Sequence, residues 1–461
     1  MFNFNDIKKN FLPDLLAGIA VAVASVSTGA AFGILSGRGA FAGIVGTAVI
    51  SIIVAFLGGT RRQIALPTGT MSAPSALMIA FAYDSFGKNA QGEQFITLIM
   101  ILTGIFLIIG GIFNLGRFVS LIPELVVYGF ANGLAGIIII NQASRLFGFS
   151  GFEVKIGDTR VLGIETGSKL TGDMALNIFI ALVTLVLIFA IPIITKKLGL
   201  SEKVRAILPA SLITIVLMTV ITTVMGLGIQ KTTLGVQLDS VGSYLDLIKS
   251  YFPTFAFMTD MNIISKALPW ALQLSVIAYL DTLLTSVLLD NMTGEKTKRG
   301  KELVAQGIAN AISGSMGGIL GAQSTVTSIL ALKEGMKTRV AGVVAGVVTI
   351  IILALFSNYV TLIALAVFAG VLAKVAWDTL DKPFFQAYFS RQWYKLQLRN
   401  YQLFIILWTA ILTILIDLNV AVLTGTIIYY ILKRSNKVKD ISQADYDEVK
   451  EQKLEDVLMY D

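Results

Sequence analysis

One carboxylate sits in the middle of a long apolar stretch. From Leu268 to Leu289 the chain is apolar except for Gln273, Ser275, the Asp281-Thr282 pair, Thr285 and Ser286. A charge held at the depth of a bilayer centre is costly unless it is paired or faces water, so Asp281 marks a candidate site. Thr285 follows at i+4 and shares its helix face. A carboxylate with a hydroxyl one turn away suits a hard cation such as Na+, which takes oxygen ligands. A proton is the second occupant to consider, and a structural carboxylate bonded to a neighbouring helix is the third. Asp14, Glu124 and Asp290 stand near segment ends, where water or headgroups are expected to reach them, which leaves Asp281 as the lone deep carboxylate.

Two further stretches carry polar chemistry inside apolar surroundings. Leu66-Pro67-Thr68-Gly69-Thr70-Met71-Ser72-Ala73-Pro74 opens one apolar segment, and Gly317-Gly318-Ile319-Leu320-Gly321-Ala322-Gln323-Ser324-Thr325 opens another. Each combines a Gly-rich or Pro-containing approach with hydroxyls and a short apolar run. Extended backbone at membrane depth is tolerated only against protein or a water-filled cavity. The half-helix that follows presents unpaired N–H groups and a positive dipole end, a place for an anion. Ordinary short helices with glycine packing faces would read similarly one at a time. Their matched positions favour the site reading, because paired interruptions in two halves point to the binding site of an inverted-repeat transporter. Thr68, Gly69, Thr70, Gln323, Ser324, Thr325 and Thr327 are therefore candidate anion-binding residues. Asp281, Thr285 and the backbone around Gly321 are candidates for the cation, a hypothetical Na+.

These residues need a membrane to be placed in. Of 461 residues 55% are hydrophobic and 14% charged, with a mean hydropathy of +0.78. Soluble domains carry about 25% charged residues. About fourteen apolar segments begin near Leu12, Phe41, Thr68, Phe95, Val119, Met174, Ile207, Leu268, Leu303, Ser324, Val340, Val360, Leu403 and Val420, and a spanning helix takes about 20 residues. The matched interruptions are then the third and tenth. Every second loop carries Lys/Arg clusters: Arg61 and Arg62, Lys196 and Lys197, Lys296 to Lys301, Lys333 to Arg339, and Lys433 to Lys437. The intervening loops are poorer for their length, with Arg38, Lys88, Arg145, Lys169 and Lys231 among their cations. Lys/Arg enrichment marks cytoplasmic loops, so both termini are expected in the cytoplasm and the protein in the cell membrane. Lys374, near Trp377 and Asp378, reads as snorkelling to the interface. The net charge of +7 follows from this topology and does not point to nucleic acid.

Cysteine and histidine are both absent. That removes disulfides, thiolate metal sites and imidazole proton relays. There is no phosphate loop, nucleophile–base pair or metal-ligand cluster, so the chain is not read as an enzyme and no cofactor is expected beyond a coupling ion. The expected division is a leader over 1–11, a transmembrane domain over 12–433 with repeats near 12–226 and 268–433, and a polar cytoplasmic tail over 434–461.

Several stretches together resemble the SulP (sulfate permease) family of anion transporters. They are Asp14-Leu15-Leu16-Ala17-Gly18; Ile122-Pro123 to Gly129-Phe130, with Gly133 and Gln142; and Leu280 to Ser286, followed by Asp290-Asn291-Met292-Thr293-Gly294. Further on come Glu302-Leu303, Gln306-Gly307, Asn310, Gly317-Gly318, Thr338 and Ala341-Gly342. The resemblance implies an all-α integral membrane fold with a seven-plus-seven inverted repeat, core and gate domains, and an anion held between broken helices three and ten. The Asp281 motif is most similar to sodium–bicarbonate members. A first-helix Pro-Gln common in the family is replaced by Ser27-Thr28 ahead of Phe32, which joins the candidate anion-binding residues. The family's usual Arg near the start of helix ten is Thr327 here, and a C-terminal STAS domain is not expected. Bicarbonate leads among substrates, with sulfate, nitrate or chloride open and Na+ symport expected. An H+-coupled nucleobase-type permease of the same architecture and a passive anion channel are the alternatives, and a homodimer is a possible assembly.

Overall fold

A computed structural model describes residues 4–148, 152–156, 159–164, 169–199, 210–232, 241–380, 400–416 and 418–435. Helices dominate, and every apolar segment has a helical counterpart. They are α1 (Phe4–Leu35), α2 (Ala40–Leu57), α3 (Gly69–Phe86), α4 (Ala90–Ile112), α5 (Glu124–Phe147), α6 (Met174–Lys197) and α7 (Ala210–Val224). After the short α8 (Val241–Tyr251) and α9 (Phe255–Thr259) come α10 (Met261–Thr293), α11 (Arg299–Ser315), α12 (Thr325–Lys333), α13 (Val340–Val360), α14 (Leu365–Thr379), α15 (Asn400–Leu415) and α16 (Leu418–Arg434). Among the described residues, six helices are long and apolar enough to cross a membrane by length and composition: Lys8–Leu35, Ala40–Leu57, Ala90–Ile112, Glu124–Phe147, Met174–Lys197 and Met261–Val287.

Three details add to the sequence reading. Most of the expected leader over 1–11 is helical, because α1 begins at Phe4 and runs through Pro13 without ending. The spanning elements are all α-helical, and two short antiparallel strand pairs accompany them, β1 (Ala65–Leu66) with β4 (Ala322–Gln323) and β2 (Phe152–Ile156) with β3 (Thr159–Ile164). The stretch between the seventh and eighth segments holds α8 and α9. The tail assigned to 434–461 lies outside the described residues beyond Ser435.

The chain divides into two compact units. The larger comprises Met1–Val119, Arg145–Gly148 and Ser168–Lys374. Its tightest seam is α4 against α11, where glycines let main chains touch. A Cβ at Gly307 would lie 2.5 Å from the Gly104 carbonyl oxygen, and one at Gly300 would lie 2.7 Å from that of Gly111. Lipid tails are as apolar as leucine, so close van der Waals approach between small residues drives such packing. α1 packs on α2 and α13, and α10 packs on α4. The smaller unit comprises Ser120–Ser144, Phe149–Gly167 and Val375–Asp461. Within it α15 packs on α16, and the α5 glycines Gly129 and Gly133 abut Thr409 and Thr413.

Candidate functional site

The site is built on two breaks in the helices. β1 and β4 pair antiparallel, Ala65 opposite Gln323 and Leu66 opposite Ala322. Extended chain in an apolar setting must find protein partners for its N–H and C=O groups, and here it does. Ser324 N donates to Ile64 O at 3.0 Å, Ser328 Oγ accepts from Ile64 N at 2.9 Å, and Ser51 Oγ donates to Ala65 O at 2.9 Å. Asn310 takes the Gly321 N–H at 2.9 Å, while Gln306 and Asn310 donate to the Gly321 carbonyl at 2.8 and 3.1 Å. Glu302, with no exposed surface, accepts from Gly59 N at 2.6 Å, from Thr60 N at 3.1 Å and from Gln323 Nε2.

A half-helix leaves each strand. Thr68 caps α3 by accepting from Met71 N at 3.3 Å, and Ser324 caps α12 by accepting from Thr327 N at 3.3 Å. Hydroxyl caps at extended residues are what a helix start selects. α10 serves both starts. Asp281 Oδ2 accepts from Thr68 Oγ1 at 2.8 Å and from Thr70 Oγ1, and one turn later Thr285 Oγ1 meets Thr325 Oγ1 at 2.9 Å. Ser286 Oγ then donates to Gln63 Oε1 at 3.0 Å, just ahead of β1.

The electrostatics follow from those partners. Both donors to Asp281 are neutral hydroxyls, and both address Oδ2; Oδ1 accepts no hydrogen bond among the described residues. Asp281 is half-buried, and no described Lys or Arg pairs with it. Each half-helix start adds roughly half a positive unit charge nearby. Among the described residues there is no cluster of three or more Asp, Glu, His or Cys. A cation held at Asp281 would therefore see one carboxylate and otherwise neutral oxygens.

The expected residues fall into two groups. Thr68, Gly69, Thr70, Ser324, Thr325 and Thr327 stand at the two helix starts, joined by Asp281 and Thr285 from α10. Two of the other three are engaged by the scaffold. Gly321 is committed elsewhere, since its carbonyl already accepts two hydrogen bonds and its Cα face abuts the Leu66 carbonyl. Gln323 is turned into the scaffold towards Glu302 and is fully buried. Phe32 is a buried residue of α1, which packs on both α3 and α12.

Other carboxylates are more fully buried than Asp281. Asp14 has no exposed surface, and accepts from Lys337 N at 2.7 Å, Thr338 N at 3.0 Å and Thr338 Oγ1. Glu302 is equally buried, and Glu93 nearly so. What sets Asp281 apart is the nature of its partners. Asp14 and Glu302 are tied by main-chain N–H groups, whereas Asp281 has only two hydroxyls and one oxygen to spare.

The sequence profile of the sulfate permease family matches residues 11–409. The chain belongs to this family. It is 29% identical over 446 residues to the bicarbonate transporter BicA of a Picosynechococcus species, covering 95% of this chain and 74% of that one. The bicarbonate transporter BicA of a Synechocystis species is also 29% identical, over 447 residues, covering 95% and 73%. Sulfate transporter 2.2 of Arabidopsis thaliana is 22% identical over 375 residues, covering 80% and 54%. Among solved structures, the transmembrane domain of a cyanobacterial bicarbonate transporter BicA superposes with a TM-score of 0.70 at 24% identity, covering 93% of this chain and 98% of that one. Membership makes the protein a membrane transporter and not an enzyme. The stretches that carry the SulP likeness have mechanical roles here. Asp14 holds the loop at Thr338, Asp290 holds the loop at Thr297, and Glu302, Gln306 and Asn310 hold the chain at Gly59 and Gly321.

Proposed function

We propose that this SulP protein is a secondary active transporter of a small inorganic anion, bicarbonate first among the candidates, driven by Na+ through alternating access. One observation carries the reading: a single turn of α10 hydrogen-bonds both half-helix starts, Asp281 to α3 and Thr285 to α12. An anion between those starts meets partial positive charge from two helix dipoles. It also meets the negative charge of Asp281. Unit charges about 6 Å apart at an effective dielectric of about 20 repel by about 3 kcal/mol, about two decades of affinity. Na+ on Asp281 Oδ1, with the hydroxyls of Thr285 and Thr325 at hand, cancels that term. Cation and anion then bind with positive, reciprocal coupling. The likeness to two bicarbonate transporters supports the substrate. The paired, capped breaks in the two halves support the seven-plus-seven repeat.

The test is anion affinity against Na+ concentration in wild type and Asp281→Asn, at fixed pH and ionic strength, with uptake into proteoliposomes across an anion panel. Na+ should tighten wild-type binding by up to about 100-fold. Asp281→Asn should bind the anion with no response to Na+. Affinity that ignores Na+ and rises as pH falls would make the coupling ion a proton. Downhill flux indifferent to both would make the protein a channel.

A further inference from the structure

Four cations from the Lys/Arg-poor loops converge on one cavity in the larger unit. It has a volume of about 180 Å³ and is lined by Arg38, Lys88, Glu93, Arg145, Lys231 and Thr232, among others. It gathers at the C-terminal end of α3, whereas Thr68 and Thr70 cap the N-terminal end. A helix of 18 residues is about 27 Å long, so the cavity is distinct from the Asp281 site.

Among the described residues, only one of the four cations has a carboxylate partner. Arg38 pairs with Glu93 at 2.8 Å, donates to the Gly318 carbonyl and lies over the Tyr251 ring. The Glu93 carboxylate is then fully engaged, because its other oxygen accepts from Tyr83 OH at 2.6 Å. Lys88, Arg145 and Lys231 have no carboxylate partner among the described residues. Arg145 Nε is buried and makes no hydrogen bond, and the same is true of Thr232 Oγ1. A buried donor left unpaired costs about 1–3 kcal/mol, more when charged. Two such donors, with three cations that lack a carboxylate partner among the described residues around one polar cavity, are the complement of an anion. A guanidinium offers the planar donor set that suits an oxyanion.

We infer that this cavity is a second anion-binding site, taking a small oxyanion of the transported class at the end of α3 remote from Asp281. The link to transport rests on the function proposed above; the binding itself does not. In the expected orientation these loops face the outside, so the site would gather substrate from the external medium.

The experiment measures equilibrium binding of sulfate and of bicarbonate to the purified full chain in detergent. It uses Na+-free buffer at low ionic strength and then adds Na+. Wild type should show a Na+-independent component. Arg145→Gln and Lys231→Gln should each weaken it by about tenfold, Arg145→Lys should restore it in part, and Lys249→Gln, which removes an exposed cation paired with Asp246, should leave it unchanged. No Na+-independent binding of either anion in wild type, or equal binding in Arg145→Gln and Lys231→Gln, would overturn the inference. So would a loss in Lys249→Gln equal to theirs, which would mean net charge alone. Failure of the transport reading looks different: the Na+-dependent component and coupled uptake vanish while the Na+-independent component stays.

Discussion

Thr327 is the residue at which the charge balance of the site can be tested most directly. Its hydroxyl accepts from Ser324 Oγ at 2.9 Å on the first turn of α12, and no arginine stands where the family often has one. If Na+ supplies the missing positive charge, then Thr327→Arg should supply it permanently. Anion binding in Na+-free buffer should strengthen by about tenfold or more, and the dependence on Na+ should flatten. Binding isotherms with and without Na+ check this, and an unchanged Na+ dependence would count against charge cancellation. The opposite change, Thr285→Val, keeps the shape and removes an oxygen ligand. It should weaken Na+ without abolishing anion binding, read as a rise of about three- to tenfold in the Na+ concentration for half-maximal stimulation. At this scale Asp281 is legible in the sequence because a lone charge in an apolar run stands out. Its donors are not, since Thr68 and Thr70 lie more than two hundred positions earlier. Asp14 is misread for a related reason. Proximity to a segment end suggests water, but the loop at Lys337–Thr338 folds over it.

The elements that place those residues depend on Glu302 and Asn310. Glu302 serves three donors, from Gly59, Thr60 and Gln323. Glu302→Ala leaves all three unpaired in a buried place, each costing about 1–3 kcal/mol. The expected outcome is a large fall in melting temperature in detergent, with Glu302→Gln intermediate because it keeps one acceptor. Equal melting of wild type and Glu302→Ala would show that the β1–β4 tie does not need this carboxylate. The breaks themselves are visible in sequence, as Pro67-Thr68-Gly69 and as the glycines from Gly317 to Gly321. The strand pair is not, because two residues carry no alternation to detect. Glu302 is hidden as well. It sits among Arg299, Lys301 and other polar residues that read as a solvated first turn, and only its partners show that it points inward.

For the molecule as a whole, the absence of cysteine makes any introduced pair unambiguous. Leu66 and Ala322 are directly opposed across the antiparallel pair, both buried. Such partners have Cα atoms about 4.5–5.5 Å apart, inside the range a disulfide accepts. Leu66→Cys with Ala322→Cys should cross-link on oxidation and still transport, because both breaks lie within the larger compact unit. Loss of uptake that returns on reduction would mean the two half-helix starts must separate in the cycle. Hydropathy makes the helical membrane fold legible from the chain alone. The division into units is less so. The larger unit keeps α6 and α7, while most of α5 goes with α15 and α16, and hydropathy has no information on which helices travel together.

The α4–α11 seam also constrains how the gene can change. Gly104 faces Gly307 and Gly111 faces Gly300, spaced seven positions apart on each helix. Any codon change at a glycine can only add bulk, and here the added carbon meets a carbonyl oxygen on a facing main chain. Within two residues of these glycines, Ile105, Ile109 and Ile112 present 42%, 42% and 69% of their surface outward, where another apolar side chain does as well. A saturation library sorted for protein reaching the membrane should therefore lose nearly every allele at codons 104, 111, 300 and 307, yet keep apolar alleles at 105, 109 and 112.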